Sequence, residues 1–516
     1  MLMRMIATLI SLVLVGAAME EQPGASLELS EITIAALHAS FREKRATCRS
    51  VVESYLRRID TYDKPGPAIN AIIQINPSAL IAADELDRRY VQSGPVGPLH
   101  CVTVAVKDNF ETADMPTTAG SLSLRGMTTG KDAVVVRRLR DAGAVIIGKT
   151  NMHEFAFSQY ETVSSILPGY TRNPYDTRRV TAGSSGGTAA AVAANFAAVG
   201  LGTDTGASIR GPASFQALVG IRPTMGMASR SGIVPVFLDS DVPGPLTRTV
   251  ADASAVLQVM AAQDPNDAAT GRSRPRQVED YASHLAADGL RGARVGVLSQ
   301  VFDTPTMDAE VRQLFEGAVN DLKRAGAIVL NPVRIGGLEE LRQMQHVARC
   351  NTFKFELNRS LLSLGDRAPM RTLEQIIQSR LFHPTIQSRL EASQAADDVP
   401  GETSGCKARV QFRSRLSDAT ARVMSANKLD ALIYPTWSNP PRLIGDLNTP
   451  HGDNNQLVAP STGFPAITVP MGFTNGSLPA GLQFLGSAWA EPVLVRLAYA
   501  YEHATLHRRP PATTVT

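Results

Sequence analysis

Apolar residues recur along this chain with two alternating periods. In residues 27–63 the spacing is helical: Cys48, Val52, Tyr55 and Ile59 fall at i, i+4, i+7 and i+11, one stripe with charges opposite. A Pro/Gly turn at 64–67 is followed by a short apolar strand at 71–75 and a charged helix at 78–91. Residues 102–106 form a compact β-favouring run, bounded by Gly94 and Pro98 before it and by Lys107, Asp108 and Asn109 after it. This predicts a central buried strand with a lysine at its end. An amphipathic helix at 132–141, stopped by Gly143, leads into a second buried strand at 144–147. The alternation returns at 293–298, at 327–330 behind a helix at 307–325, and at 429–434. Strands alternating with helices of ten or more residues predict an α/β sheet with helices on its faces. Residues 338–425 are helical by pattern but irregular, with a polar Gly/Pro-containing centre at 394–407, and are expected to form a lid or peripheral insertion.

The first residues follow another pattern. Arg4 precedes an apolar run at 6–18 that closes on Gly16, Ala17 and Ala18 just before Glu20 and Glu21. A short positive region, an apolar core and a small-residue exit predict a secretory signal peptide over residues 1–18, and hence a periplasmic or secreted protein. The run is shorter than the roughly 20 residues a membrane span needs, so no stable membrane insertion is expected.

Composition narrows the class. With 516 residues the length suggests three or four domains. The 44% of hydrophobic residues suffice for a large core, and a net charge of +3 supplies no footprint for nucleic acid or anionic lipid. Cys48, Cys101, Cys350 and Cys406 form no CxxC pair, so neither a zinc site nor a redox dithiol is indicated. They could be buried free thiols or supply a disulfide, with three pairings open.

The segment from Thr181 through Gly183-Ser184-Ser185-Gly186-Gly187 to the run Gly200–Pro212 concentrates glycine beside serine, which lets backbone N–H groups approach a ligand. It lacks the lysine of a P-loop and the third glycine of a dinucleotide fingerprint. Gly183 to Gly187 fits a nucleophile elbow with Ser185 as nucleophile, but the polar stretch before it offers no preceding strand. A third reading pairs a serine with a lysine held neutral by burial, and Lys107, directly after an apolar strand, has that context. On its own Lys107 reads first as a lysine leaving a strand end for water.

Together these residues resemble the amidase signature family, serine hydrolases with a Ser-Ser-Lys triad. The resemblance runs from about Leu29 to His507 and is dense at 97–109, at 148–152, at 183–224 and at 460–486 with its Gly481-Leu482-Gln483 element. It implies a single large α/β domain with a mixed central sheet covered on both faces, occupying residues 19–516, with 338–437 a variable helical segment near the substrate pocket. It implies Lys107 as base, Ser184, after a cis peptide bond, as relay, and Ser208 as nucleophile forming an acyl-enzyme. The backbone N–H groups of Thr205, Gly206, Ala207 and Ser208 would form the oxyanion hole, with Ser185, Asp204 and Arg210 in support. No metal or other cofactor is implied. The sequence departs from the family's usual glycines at Cys101, Ala182 and Ala207 and from its usual proline at Thr103, which weakens any transfer of substrate preference.

The expected partner is a small amide, anilide or carbamate, acted on by a monomer or homodimer; Phe237, Phe353 and Trp437 are candidate apolar wall residues, with ordinary core packing the commoner role for residues of this kind. Segments 152–166 and 236–241 are expected to shape the same pocket. Three other readings remain at this stage: an esterase using Ser185 with His451, His503 or His507; a non-catalytic binding protein that kept the fold; and the A-type subunit of a tRNA-dependent amidotransferase. If neutral Lys107 is the base, hydrolysis should be weak in acid and rise toward mildly alkaline pH.

Overall fold

A computed structural model describes residues 29–272 and 280–514. The expected signal peptide at 1–18 lies outside the described residues. Thirteen strands are formed: β1 (Ile72–Ile75), β2 (Thr103–Lys107), β3 (Val145–Thr150), β4 (Arg172–Asn173), β5 (Asp176–Val180), β6 (Val199–Asp204), β7 (Val219–Arg222), β8 (Val242–Thr247), β9 (Arg294–Val297), β10 (Ile328–Leu330), β11 (Ala431–Pro435), β12 (Ala466–Thr474) and β13 (Leu478–Leu485). Eleven of them make one sheet in the order β1-β3-β2-β6-β8-β7-β12-β13-β11-β9-β10.

The sheet is mixed. Strands β3, β2 and β6 run parallel, as do β11, β9 and β10, and the ladders between these two groups are antiparallel. Because one sheet gathers strands from residue 72 to residue 485, the chain forms a single α/β domain and not the three or four that its length suggests. The two largest apolar clusters lie toward its two ends, one built on β2 and β3 with the N-terminal helices, the other on β9, β11, β12 and β13.

Strand β2 is buried at every position and paired on both sides, by β3 and β6, so Lys107 is carried into the interior on the last residue of a central strand. The helical pattern at 27–63 divides in two, Ile34–Arg42 and Cys48–Tyr62. The chain breaks at Lys44, which takes a left-handed φ of 56°, and Thr47 restarts the helix by capping Ser50 in a reciprocal capping box. The polar stretch before Ser184 does hold a strand, β5, but it pairs with β4 in a separate ribbon and feeds no elbow from the main sheet.

Strand β6 is rich in glycine for a packing reason. A Cβ at Gly200 would stand 2.5 Å from the Thr188 side chain, and one at Gly202 would stand 2.9 Å from Ser185 Oγ. The helix Gly186–Ala193 therefore lies directly on the sheet beneath the serine segment.

All four cysteines are bonded, Cys48 to Cys101 and Cys350 to Cys406, which corrects the free-thiol alternative. Sequence could not choose a pairing; the fold does so by bringing the start of the helix Cys48–Tyr62 against the turn before β2. The second bond ties the turn before the helix Phe353–Leu364 to the first turn of the helix Ser404–Ala426. Within 338–426 the chain is mainly helical, comprising Leu338–Val347, Phe353–Leu364, Leu373–Ser379, Gln387–Ala395 and Ser404–Ala426. No described helix is long and apolar enough to cross a membrane.

Candidate active site

The end of β2 delivers Lys107 to a fully buried position, where Nζ donates to Ser184 Oγ at 2.7 Å and to Thr203 Oγ1 at 2.8 Å. Burial pushes its pKa down to about 7, against the opposing pull of the Asp204 and Asp241 carboxylates. Asn109 Nδ2 donates to the same Thr203 hydroxyl at 3.0 Å, which fixes that acceptor beside the lysine.

Ser184 follows a cis peptide bond from Gly183. Gly183 has no room for a side chain: a Cβ there would stand 2.2 Å from the carbonyl oxygen of Glu161 and 2.6 Å from that of Ser158. Its N–H donates to the Gln159 carbonyl at 2.9 Å, so the segment 158–161 cradles this turn. Ser185 begins the helix Gly186–Ala193 and is committed twice. Its hydroxyl donates to the Thr203 carbonyl at 3.2 Å, and its N–H to the Ser208 carbonyl at 3.3 Å. The second bond links the two serine segments.

Ser208 stands just before the helix Arg210–Phe215 and, with Thr205, Gly206 and Ala207, lines a cavity of about 210 Å³. Gly206 is pressed against Gln456, whose Oε1 would lie 2.3 Å from an added Cβ. Ala207 takes no positive φ here, so this departure from glycine carries no backbone penalty, whereas Ala182 and Cys101 do occupy left-handed φ of 59° and 60°.

Behind this loop Asp204 is sandwiched between two buried guanidiniums. Arg210 Nε reaches its Oδ2 at 3.1 Å and Arg222 Nη1 its Oδ1 at 2.8 Å, and the Ile209 N–H adds a third bond at 3.1 Å. Burial alone would raise this carboxyl, but the two arginines outweigh it and hold it well below the usual range. Arg210 also donates to the Gly206 carbonyl at 2.6 Å and to Asn455 Oδ1 and Gln483 Oε1. A carboxylate charge thus anchors the backbone whose N–H groups precede Ser208. On the other side, Asp241 accepts from Thr205 Oγ1 at 2.6 Å and from the Val236 and Phe237 N–H groups.

Sequence reasoning did not single out Thr203, Arg222 or Asp241 as site residues, although each lies in or beside a segment it marked. A threonine or arginine inside a β-run reads as strand filler until its partner is known.

Of the three candidate wall residues one lines the cavity and two are packed in the core. Phe237 lines the cavity, as do Phe157 and Phe412. Phe353 is buried behind it against Phe155 and Phe157, and Trp437 packs on Phe215 and donates to the Gly211 carbonyl at 3.1 Å. Phe353 supports the wall through Phe157, whereas Trp437 supports the helix Arg210–Phe215 that follows Ser208. Arg389, Arg409 and Arg413 also line the cavity; on helices of mixed polarity, sequence periodicity had assigned them no role.

The histidines proposed for Ser185 lie elsewhere. His451 packs on Tyr160 and accepts from the Asp453 N–H, while His503 and His507 line a different cavity of about 540 Å³. His153, whose N–H donates to the Ser184 carbonyl, is kept neutral by burial, with a pKa pushed down to about 3. Among the described residues no three His, Cys, Asp or Glu side chains converge as a metal site requires.

The Amidase family model matches residues 50–495. The chain belongs to the amidase family. A probable amidase of Arabidopsis thaliana is 35% identical over 96% of this chain and 94% of its own length. The A subunit of the glutamyl-tRNA(Gln) amidotransferase of Myxococcus xanthus is 34% identical over 92% of this chain and 98% of its own. Among solved structures, the peptide amidase of Stenotrophomonas maltophilia superposes with a TM-score of 0.85 at 37% identity, covering 93% of this chain and 98% of that one. As an amidase the protein is a hydrolase of amide C–N bonds.

Proposed function

We propose that this amidase works through Lys107, Ser184 and Ser208. Neutral Lys107 draws a proton from Ser184 as Ser184 takes the proton of Ser208, and the Ser208 oxygen attacks the amide carbonyl. The N–H groups of Thr205 to Ser208 receive the negative charge that develops on the carbonyl oxygen; one such donor is worth about 3 to 4 kcal/mol. The same relay returns the proton to the leaving amine, an acyl-Ser208 ester remains, and water, deprotonated along the relay, releases the acid. The observation that carries this reading is the fully buried Lys107 Nζ at 2.7 Å from Ser184 Oγ. Replacement Ser208→Ala tests it: amide hydrolysis should fall by at least about 10³-fold, because the covalent route is lost and Lys107 and Ser184 are left with no hydroxyl to activate, and retained hydrolysis would refute it.

The substrates are small amides, anilides or carbamates, and the likeness to a peptide amidase adds peptide amides. Export through residues 1–18 is part of the same reading. Two disulfides support it, because such bonds persist in oxidising compartments. Identity of the mature N-terminus after expression with the full leader tests it; an uncleaved cytoplasmic chain would contradict export.

The second reading, an amidotransferase A subunit, is favoured by the Myxococcus relative. Against it, the A subunit from Thermotoga maritima superposes with a TM-score of 0.72 at 30% identity, below the peptide amidase on both measures.

A further inference from the structure

Three glutamines line the Ser208 cavity, Gln159, Gln345 and Gln456, and the last of them is held against the loop that precedes the serine. Gly206 leaves room where a side chain would stand, and Gln456 fills it. From an added Cβ at Gly206, Oε1 of Gln456 would lie 2.3 Å away, Cδ 3.0 Å and Nε2 3.1 Å.

The side-chain amide of Gln456 has a fixed sense. Its Nε2 donates to Asp453 Oδ2 at 2.8 Å, which leaves Oε1 as the end turned to Gly206. Asp453 is itself set by two donors on Oδ1, the Asn455 N–H at 2.9 Å and Asn455 Nδ2 at 2.8 Å. Asn455 Oδ1 in turn accepts from Arg210 Nη1 at 3.2 Å, and the same guanidinium donates to the Gly206 carbonyl at 2.6 Å. One arginine therefore fastens both sides of the contact, the loop and the segment that carries Gln456. Among the described residues none donates a hydrogen bond to Gln456 Oε1.

The cavity thus presents an oriented acceptor without a donor beside the N–H groups of Thr205 to Ser208. An acceptor in that place repels the carbonyl oxygen that those N–H groups receive and favours the other polar substituent of the same carbon. In a primary or secondary amide that substituent carries an N–H; in an ester it is an oxygen with lone pairs only. The amide makes the bond, whereas the ester sets two acceptors face to face and leaves Oε1 unpaired. The bond also suits the later proton transfer. The leaving nitrogen must accept a proton from the relay, and a nitrogen whose N–H is held keeps its lone pair out of that bond and free for the proton.

We infer that Gln456 selects amides over the matching esters, its Oε1 accepting the N–H of the scissile bond, with Asp453 as the positioning residue that turns it. This rests on the reading of Ser208 as the nucleophile and of Thr205 to Ser208 as the loop that receives the carbonyl oxygen.

The test uses 4-nitroacetanilide and 4-nitrophenyl acetate, which share their acyl and aryl groups and differ only in NH against O. The rate constant kcat/KM is measured on each with the full-length enzyme, with Gln456→Met, which keeps the length and removes the acceptor, and with Gln456→Glu, which returns an oxygen to the same place. In Gln456→Met the amide-to-ester ratio of kcat/KM should fall about tenfold, the scale of one net hydrogen bond, through loss on the anilide. Gln456→Glu should regain part of it. A purely structural role would lower both substrates alike and leave the ratio where it was. A ratio unchanged in a Gln456→Met protein with an unaltered melting curve overturns the inference, as does a fall in Gln456→Glu as large as in Gln456→Met. Hydrolysis retained in Ser208→Ala, with a ratio still set by Gln456, refutes the nucleophile and supports the acceptor. Where the enzyme turns over neither probe, calorimetry on Ser208→Ala decides: tighter binding of acetanilide than of phenyl acetate, lost when Gln456→Met is added, supports the acceptor and counts against the proposed chemistry, and equal binding overturns the inference.

Discussion

Lys107 and Ser184 are joined by a hydrogen bond of 2.7 Å although 77 residues separate them in the chain. The bond places an amine, desolvated by a central strand, against a hydroxyl at a turn where no side chain fits on the preceding residue. Because burial pushes the Lys107 pKa down to about 7, its amine, the proposed base, is substantially neutral near physiological pH. The rate constant kcat/KM should therefore rise along an acid limb with an apparent pKa near 7 and level off above about pH 8. A pH–rate profile on a neutral amide checks this, and a rate that peaks below about pH 6 is incompatible with a lysine base.

The same depression has a stability consequence. The unfolded lysine keeps its ordinary value near 10.5, so between pH 7 and 10.5 the unfolded state binds more protons than the folded one. Stability should rise with pH across that window through Lys107. Its burial is destabilising in full below about pH 7 and is relieved as the unfolded lysine also deprotonates. Comparing thermal unfolding of the protein with that of Lys107→Met across pH 6 to 10 isolates the effect, with wild type gaining relative to the variant as pH rises.

The Asp204 carboxylate shared by Arg210 and Arg222 is the electrostatic keystone of the loop that carries Ser208, the proposed nucleophile. Arg222→Met leaves a buried charge half compensated and should cost about 3 to 5 kcal/mol in denaturant unfolding, the range for breaking a buried ion pair. Since the arginines hold Asp204 below its unfolded value, this contribution is present above about pH 4 and is lost as pH falls further.

The Cys350–Cys406 bond closes a loop across a separation of 56 residues, which in the chain-entropy model stabilises by about 4 kcal/mol. Cys350→Ser with Cys406→Ser should lower the melting temperature. Because Gln345, Ala348, Arg409 and Phe412 line the cavity on either side of this bond, KM should rise more than kcat falls. Steady-state kinetics on the double variant separates the two.

Much of this was legible in the chain. The run before Lys107 reads as a central strand because four of its five residues are β-branched and none is charged, and β2 is that strand, shifted by one residue to include the lysine. The alternation at 293–298, 327–330 and 429–434 likewise corresponds to β9, β10 and β11. Strands β6 and β8 were invisible to periodicity, since glycine and proline interrupt them; Gly200 and Gly202 are there to admit a helix, and Pro243 and Pro245 sit opposite Thr203 and Leu201 in the ladder. The long helical pattern concealed a break at Lys44, because an isolated left-handed residue leaves no period behind. Around Ser208 the serines and the lysine were readable from their motifs, but Arg222, Asp241 and the cavity arginines were not. Their roles depend on partners brought from distant segments, such as Arg409 to Asp239 across 170 residues.

The central claim is that Ser208 carries the acyl group. Mass spectrometry of a reaction quenched with acid, using an activated anilide as substrate and digesting the protein, tests it most directly. The account predicts an acyl mass on the peptide containing Ser208, absent in Ser208→Ala. Turnover with the acyl mass on Ser185, or with no acyl adduct on any serine, would contradict it.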